Sequence, residues 1–315
     1  MSLLGYLRWI AFSLFLFSST TTFAATMTDS LGNCITLNTP PQRIVTLEYA
    51  FADALAAIGI SPVGIADDND PLNLHPAVVS RITGWVSVGD RANPDLSRIA
   101  ALKPDVIIAD ITRHQAIYPA LSAIAPTALL PSRGETYAEN LAVAEKIGML
   151  VDQPDLMTAR LQQHALYMRD IEKQLSPVQG QQALFAVALE NGVYAYSGSA
   201  YPGGVLKAIG LRVPEQIGQD DRALRQLTLE EMSTINPDIL LSGTIEPDNV
   251  LLQWQQQPVW PTLQAIKNEQ FYQVDGKYWA HCRGILASEA MADALRKTLP
   301  QFTRPATEIQ TSAIP

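Results

Sequence analysis

Four arginines lie in segments that follow predicted buried strands, where the loops of α/β proteins meet their ligands. They are Arg91, Arg113, Arg133 and Arg283, in a chain whose formal net charge is −9. A guanidinium binds a carboxylate through two parallel hydrogen bonds, which an ammonium group cannot do. The four together predict an anionic ligand that carries carboxylates, although any one of them can equally be a solvated loop charge or the partner of a nearby acid.

Histidines and aspartates in the same segments leave other chemistry open. His114 and His281 are candidates for metal binding or for acid–base catalysis, so a hydrolase is the alternative from another functional class. The sequence contains no GxGxxG, P-loop, GxSxG or HExxH motif. Asp67, Asp68 and Asp70 do not have the spacing of a calcium loop, and a structural loop is favoured for them. A non-catalytic binding protein is therefore the leading hypothesis.

A repeated segment predicts the elements that position these side chains. Residues 96–110 read LSRIAALKPDVIIAD and residues 229–243 read LEEMSTINPDILLSG. Each copy predicts a short amphipathic helix that ends at a Pro-Asp turn and leads into a buried strand. Strands that alternate with helices indicate parallel sheets, so the repeat predicts two similar α/β halves with a cleft between them. Loops are predicted at 112–114 and 276–283.

Helical periodicity runs from 137 to 175 with a kink near Pro154. This length favours a long helical segment that connects two lobes. The alternative is a pair of ordinary surface helices of the first lobe. The resulting division of the chain is a leader, a first lobe, a helical connection and a second lobe, at 1–24, 25–136, 137–180 and 181–315.

The N-terminal segment is typical of a cleaved export signal. Arg8 precedes an apolar run that is too short to span a bilayer, and Thr22 and Ala24 fit the −3 and −1 positions of a leader peptidase site. We expect cleavage after Ala24 and a periplasmic mature chain, with a membrane anchor as the alternative. The acidic composition argues against nucleic acid as a partner. Export permits a disulfide between Cys34 and Cys282, and the sequence leaves that pairing open.

The chain resembles the periplasmic binding proteins of iron–siderophore and vitamin B12 ABC importers over nearly all of its mature length. The repeated Pro-Asp motif, the leader and the helical connection carry the resemblance, and the match is strongest to members that bind ferric dicitrate. Four further segments support it: FADALAAIGISPVGIADDND at 51–70, IAALKPDVIIAD at 99–110, ETYAENL at 135–141 and RGILASE at 283–289. The resemblance implies two Rossmann-like lobes with mostly parallel sheets, joined by a long α-helix, with the ligand cleft between them.

The resemblance also implies a function and a set of contacts. The expected ligand is an iron(III) citrate complex, with iron held through its citrate ligands rather than by protein side chains, and the expected partner is an inner-membrane ABC permease. Another anionic siderophore or haem is the alternative ligand, and a monomer without enzymatic activity is expected. Arg113, Arg133 and Arg283 are the implied carboxylate contacts, and the further candidates are Arg91, Tyr201 and Trp279.

Members of this family dock to their permease through one glutamate on each lobe. The lobe-two position matches Glu230, in the sequence TLEEM. The matching lobe-one position, in PDLSRI, is Ser97, which is a departure from the family pattern. Asp95 lies two residues away and is the candidate substitute.

Overall fold

The chain forms two α/β lobes, each built around a five-stranded sheet. The structure is a computed structural model that describes residues 25–218, 223–245 and 248–299. The predicted leader and the end of the chain lie outside the described residues. Lobe one begins with an antiparallel hairpin that turns near Gly32, formed by β1 (Ala25–Thr28) and β2 (Cys34–Leu37).

The lobe-one sheet is entirely parallel, as the alternation of strands and helices predicts. Helices cover both of its faces, so its central strands are buried along their whole length. Its strands are β3 (Ile44–Thr46), β4 (Gly64–Ile65), β5 (Val86–Ser87), β6 (Val106–Asp110) and β7 (Thr127–Leu130). Its helices are α1 (Tyr49–Ala57), α2 (Pro76–Val79), α3 (Leu96–Ala101), α4 (Ile111–His114) and α5 (Tyr118–Ser122). The strand order is β5-β4-β3-β6-β7, so all five carboxyl ends meet at one edge.

The connection between the lobes is a pair of helices, α6 (Tyr137–Leu150) and α7 (Pro154–Gln174). The predicted kink is a full break, because Asp152 adopts a positive φ of 58° and Pro154 begins a new helix without an N–H to donate. The two helices pack against each other. Near the start of α7, Met157 lies in the lobe-one core, whereas Met168 lies in the lobe-two core. Thus α7 is the long helix that joins the lobes.

The lobe-two sheet is mixed. Its strands are β8 (Ala183–Leu189), β9 (Gly192–Tyr196), β10 (Leu224–Leu227), β11 (Ile239–Thr244) and β12 (Phe271–Asp275). The strand order is β10-β9-β8-β11-β12. A tight turn makes β8 and β9 an antiparallel hairpin, and β8, β11 and β12 are parallel. Its helices are α8 (Tyr201–Ala208), α9 (Leu229–Ile235), α10 (Leu251–Trp254), α11 (Gln264–Lys267), α12 (Gly276–His281) and α13 (Ile285–Thr298).

Two predicted loops are wrong. Residues 276–281 form α12, because the Asp275 carboxylate accepts a hydrogen bond from Tyr278 N at 3.1 Å and caps the helix. The segment 112–114 lies in α4, whose first turn is capped by Asp110 through Arg113 N at 2.7 Å. In both places the aspartate immediately before the helix is the sequence signal that identifies it.

The repeated Pro-Asp motif has a structural reason in each lobe. Asp105 Oδ2 accepts hydrogen bonds from Gln42 N at 2.7 Å and Arg43 N at 2.8 Å. Asp238 Oδ2 accepts one from Gln182 N at 2.8 Å in the same way. Each aspartate thus fixes the segment leading into a neighbouring central strand, β3 or β8. The repeat therefore encodes equivalent sheet contacts in the two lobes.

The last helix, α13, ties lobe two to lobe one. The buried Asp53 carboxylate, on α1, accepts hydrogen bonds from Leu286 N at 3.0 Å and Ala287 N at 2.9 Å and so caps α13. Gly284 precedes the helix with φ 138°, and a Cβ there would collide with Asp53. The Tyr201 hydroxyl donates to Gly284 O at 2.6 Å and accepts from Gly284 N at 2.9 Å. Together these contacts fix the backbone on which Arg283 stands.

The cysteines do not form a disulfide. Cys34 is exposed, and the Cys282 thiol is buried, donating a hydrogen bond to Asn73 O at 3.4 Å. None of the helices in residues 25–218, 223–245 and 248–299 is long and apolar enough to cross a bilayer.

Candidate ligand-binding cleft

The carboxyl edge of the lobe-one sheet carries charged groups after every strand. Glu48 follows β3, Asp68 follows β4, Arg91 follows β5, Arg113 follows β6, and Arg133 and Glu135 follow β7. Arg283 reaches the same edge from the segment before α13, where its Nη1 donates to Ser132 O at 2.9 Å. The structure thus brings three of the predicted arginines, Arg91, Arg113 and Arg283, around one buried acid, Glu48.

The closest contact in this group is an ion pair between Arg113 and Glu48. Arg113 Nε lies 2.7 Å from Glu48 Oε1, but neither atom is aligned for a hydrogen bond. The Glu48 side chain is only 2% exposed. Burial raises the pKa of Glu48 to about 7, against the opposing pull of Arg113 and Arg91. At about pH 7 this carboxyl is therefore close to half protonated, although it lies beside two guanidinium groups.

Arg91 is fully engaged within the protein. Its Nε and Nη2 donate to Asp68 Oδ2 at 3.0 and 2.7 Å, and its backbone N donates to Asp68 Oδ1 at 2.7 Å. The guanidinium carbon lies 3.7 Å from the centroid of the Tyr49 ring, a cation–π contact. Asp68 itself adopts a positive φ of 56°. Only Nη1 is directed toward Glu48, at 3.8 Å.

Arg283 and Glu135 form a second, less complete set of contacts. Arg283 Nε and Glu135 Oε2 are both buried without a hydrogen-bond partner. Glu135 Oε1 accepts a single bond from Asn140 Nδ2 at 3.2 Å. Burial raises the pKa of Glu135 to about 7, with Arg283 the strongest opposing influence.

The remaining predicted contacts lie in different surroundings. The Arg133 side chain is exposed and makes no hydrogen bond or ion pair within the described part of the chain, while its backbone N donates to Asp110 Oδ2 at 3.0 Å. Tyr201 and Trp279 are buried in the lobe-two core, with Trp279 stacked near Phe185 at 5.2 Å between ring centroids. In this conformation both side chains pack in the core beneath the cleft rather than on its surface.

The lobe-two wall of the cleft is aromatic and apolar. A cavity of about 200 Å³ opens there, and its lining includes Leu189, Tyr194, Tyr196, Ile245 and His281. Tyr196 is close enough to Arg283 for that charge to act on its hydroxyl. Tyr196 is the last residue of β9, and its place after a predicted strand already made it a candidate for the cleft.

A larger open depression, of about 900 Å³, lies at the opposite end of lobe two. Two cations line it, and each donates to a backbone carbonyl, Lys207 Nζ to Gly198 O at 3.3 Å and Arg212 Nε to Gly180 O at 2.5 Å. The unsatisfied buried polar atoms concentrate instead at the lobe-one edge, on Glu48, Arg113, Glu135, Asn140 and Arg283. Buried groups without partners are rare in proteins, which favours this edge as the ligand site.

Comparison with known proteins agrees with the two-lobe geometry. The sequence profile described as "Periplasmic binding protein" matches residues 44–278. The Fe(3+) dicitrate-binding periplasmic protein FecB of Escherichia coli (strain K12) is 42% identical over 290 residues, which cover 92% of this chain and 95% of that protein. This chain belongs to the periplasmic binding protein family.

Other relatives extend the comparison. The Fe(3+)-citrate-binding protein YfmC of Bacillus subtilis (strain 168) is 36% identical over 263 residues, covering 83% of this chain and 82% of that one. The crystal structure of Staphylococcus aureus SirA complexed with staphyloferrin B aligns with a TM-score of 0.76 at 20% identity, over 87% of this chain and 98% of that chain. This structural likeness confirms the fold, two α/β lobes joined by a long helix.

As in other solute-binding proteins of this family, the cleft has no catalytic arrangement among its described residues. His114 is completely buried, its Nδ1 accepts from Asp110 N at 2.9 Å, and its Nε2 donates to Arg91 O at 2.7 Å. Both ring nitrogens are thus used by the backbone. His281 lies at the surface, and partial desolvation of its ring, together with the nearby charges of Arg91 and Arg283, lowers its pKa. Within the described residues no cluster of three His, Cys, Asp or Glu side chains could hold a metal.

The predicted docking positions occupy equivalent helices of the two lobes, but their carboxylates differ. Glu230 is exposed in the first turn of α9, and its side chain makes no ion pair within the described residues. Ser97 is exposed in α3. Asp95 caps α3 through Ser97 N at 2.9 Å and also pairs with Arg98 Nε at 3.2 Å. The Asp95 carboxylate is therefore already engaged, unlike that of Glu230.

Proposed function

We propose that this protein captures an iron(III) citrate complex in the periplasm and delivers it to an inner-membrane ABC permease. The observation that carries the proposal is the pair Arg113 and Arg283, whose buried Nε atoms make no aligned hydrogen bond at the cleft edge. Ligand carboxylates can supply those bonds. Two relatives with matching length, at 42% and 36% identity, have names that specify ferric citrate or dicitrate.

Iron is cargo in this proposal and is held through citrate oxygens. The cleft edge supplies guanidinium groups, which bind carboxylates and do not ligate iron. Arg113 and Arg283 are the primary contacts, and the exposed guanidinium of Arg133 closes onto the ligand from the surface. Three such charged contacts, at about 1.5–3 kcal/mol each, supply about 4.5–9 kcal/mol before the cost of ordering, so only the upper end of this range reaches the ~8 kcal/mol of a micromolar site.

Delivery uses the two lobes unequally in this proposal. The free carboxylate of Glu230 offers an ion pair to a permease arginine, while the lobe-one side offers Ser97 and an aspartate already paired with Arg98. Rim ion pairs govern association rate more than affinity, so this asymmetry slows docking without preventing transport. Export by a leader that is cleaved after Ala24 places the protein in the compartment where this exchange occurs.

A fluorescence titration of the mature protein tests the ligand. Trp279 lies behind the cleft and is expected to report ligand binding. Saturable quenching by ferric citrate at micromolar or lower concentration, with weak responses to iron-free citrate, a hydroxamate siderophore and haem, is the expected result. A response to another siderophore or to haem but none to ferric citrate would replace citrate with that ligand and leave the family assignment unchanged.

A further inference from the structure

The cleft arginines are electrically compensated in the ligand-free protein. Arg91, Arg113 and Arg283 face four carboxyl groups, those of Glu48, Asp68, Asp110 and Glu135, and the exposed guanidinium of Arg133 stands at the same edge. With all eight groups ionised, this set carries no net charge. A ligand with several carboxylates would then gain no net Coulomb attraction and would bring like charges next to buried acids. Some of the acids must lose their charge for an anion to bind tightly.

The carboxylates of the two aspartates are each held by several hydrogen bonds. Asp68 accepts three hydrogen bonds from Arg91 and one from the Tyr49 hydroxyl at 2.8 Å. Asp110 accepts bonds from the backbone N of Arg113, Ser132 and Arg133 at 2.7, 2.8 and 3.0 Å. Hydrogen bonds donated to a carboxylate stabilise its charged form. Neutralising either aspartate would break contacts that shape the loops.

The two glutamates are held differently. Glu48 has an ion pair with Arg113 that is not aligned as a hydrogen bond, and Glu135 has one bond from Asn140 and an unpartnered oxygen. Neither accepts a backbone N–H from another residue among the hydrogen bonds of the described chain. Each can therefore be neutralised without disturbing the fold, and each stands beside an arginine expected to bind the ligand.

We propose that Glu48 and Glu135 are internal counter-ions of the cleft arginines, and that each takes up a proton from solvent when a ligand carboxylate replaces it. The inference rests on the proposed function, since the replacing group is a carboxylate of the captured complex. The ligand stays ionised and the proton ends on the glutamate, which leaves the arginines with a net positive charge toward the ligand. The glutamates thereby restrict the cleft to ligands with enough negative charge to displace them.

The charged surroundings of both acids set the pH range of this exchange. Arg113, Arg91, Asp110 and Arg283 face Glu48, and Arg283 and Asp110 face Glu135. Burial raises both pKa values to about 7 in the free protein. A carboxyl with that pKa is about nine-tenths ionised at about pH 8, so full protonation on binding takes up nearly one proton per glutamate. Affinity is then highest below about pH 6 and falls about tenfold per glutamate by about pH 8.

Isothermal titration calorimetry with ferric citrate tests the exchange. At about pH 8, in buffers of different ionisation enthalpy, the wild type is expected to take up nearly two protons. Glu48→Gln and Glu135→Gln are each expected to remove about half of that uptake and the double variant nearly all. Glu145→Gln, an exposed glutamate on α6, is the matched control and should change nothing. His281→Gln measures the protons taken up by that ring, which also faces Arg91 and Arg283.

A second measurement needs no ligand. Both folded-state pKa values exceed the ordinary 4.5, so these groups add stability below about pH 4.5 that is lost as pH rises through about 7. Thermal unfolding of the double Gln variant should show a flatter pH profile than the wild type over this range. An unchanged profile would overturn the inference, whether or not ferric citrate binds.

The two proposals fail in different ways. If ferric citrate binds the wild type without more proton uptake than the double variant shows, the counter-ion exchange is wrong and the proposed function stands. If ferric citrate does not bind but another carboxylate siderophore binds with the expected uptake, the substrate is wrong and the exchange stands.

Discussion

Replacing Arg283 is the substitution whose effect on ligand affinity follows most directly from the structure. Arg283 Nη1 is fixed on Ser132 O, its Nε is buried without a partner, and α13 is held in place by Asp53. The guanidinium is therefore preorganised, and a carboxylate can meet Nε and Nη2 side by side. Loss of one charged contact of about 1.5–3 kcal/mol predicts that Arg283→Ala weakens ferric citrate binding by roughly ten- to 150-fold.

The assay is a calorimetric or fluorescence titration at fixed pH and ionic strength, with thermal unfolding recorded for each variant. Arg283→Lys keeps the charge but not the paired geometry, so its affinity should fall between those of the wild type and the Ala variant. Arg169→Ala is the matched control, since this exposed arginine also donates to a carbonyl, Ala165 O at 3.2 Å, but lies on α7. Wild-type affinity in a folded Arg283→Ala protein would refute the assignment of this arginine to the ligand.

Two further predictions concern docking and stability. Glu230→Ala should reduce permease-dependent uptake of radiolabelled ferric citrate without changing the affinity of the free protein for ferric citrate. Ser97→Glu should increase that uptake. Equal uptake by the wild type and both variants would contradict asymmetric docking. Asp53→Ala leaves two backbone N–H groups of α13 unpaired and should lower the free energy of unfolding by about 1–3 kcal/mol. Urea denaturation measures this change, and an unchanged midpoint would show that the cap is dispensable.

The convergence of the arginines was predictable because it depends only on the direction of the strands. The carboxyl ends of parallel strands share an edge, so residues directly after β5 and β6 had to lie on the same edge of the sheet. The Pro-Asp repeat likewise located α3, β6, α9 and β11, since a proline and a capping aspartate mark the same boundary in both lobes. Both signals can be recognised from neighbouring residues in the sequence, without knowledge of tertiary contacts.

The pairing of charges was not predictable, because it depends on side-chain direction across the cleft. Nothing near Arg91 in the sequence indicates that Asp68 occupies its guanidinium, or that Glu48 rather than solvent faces Arg113. The burial of Trp279 follows from α12, a helix that the sequence interpretation replaced with a loop. Asp275 before Gly276 was the available signal for that helix.

In the proposed complex, guanidinium groups at the lobe-one edge hold iron(III) citrate through its carboxylates. The most direct measurement is a crystal structure of the protein with ferric citrate bound. We predict citrate carboxylate oxygens within hydrogen-bond distance of Arg113 and Arg283, iron coordinated only by citrate, and the Glu48 carboxyl displaced from Arg113. Iron ligated directly by a side chain such as His281, or citrate bound at the Lys207 depression instead of the cleft, would contradict the account.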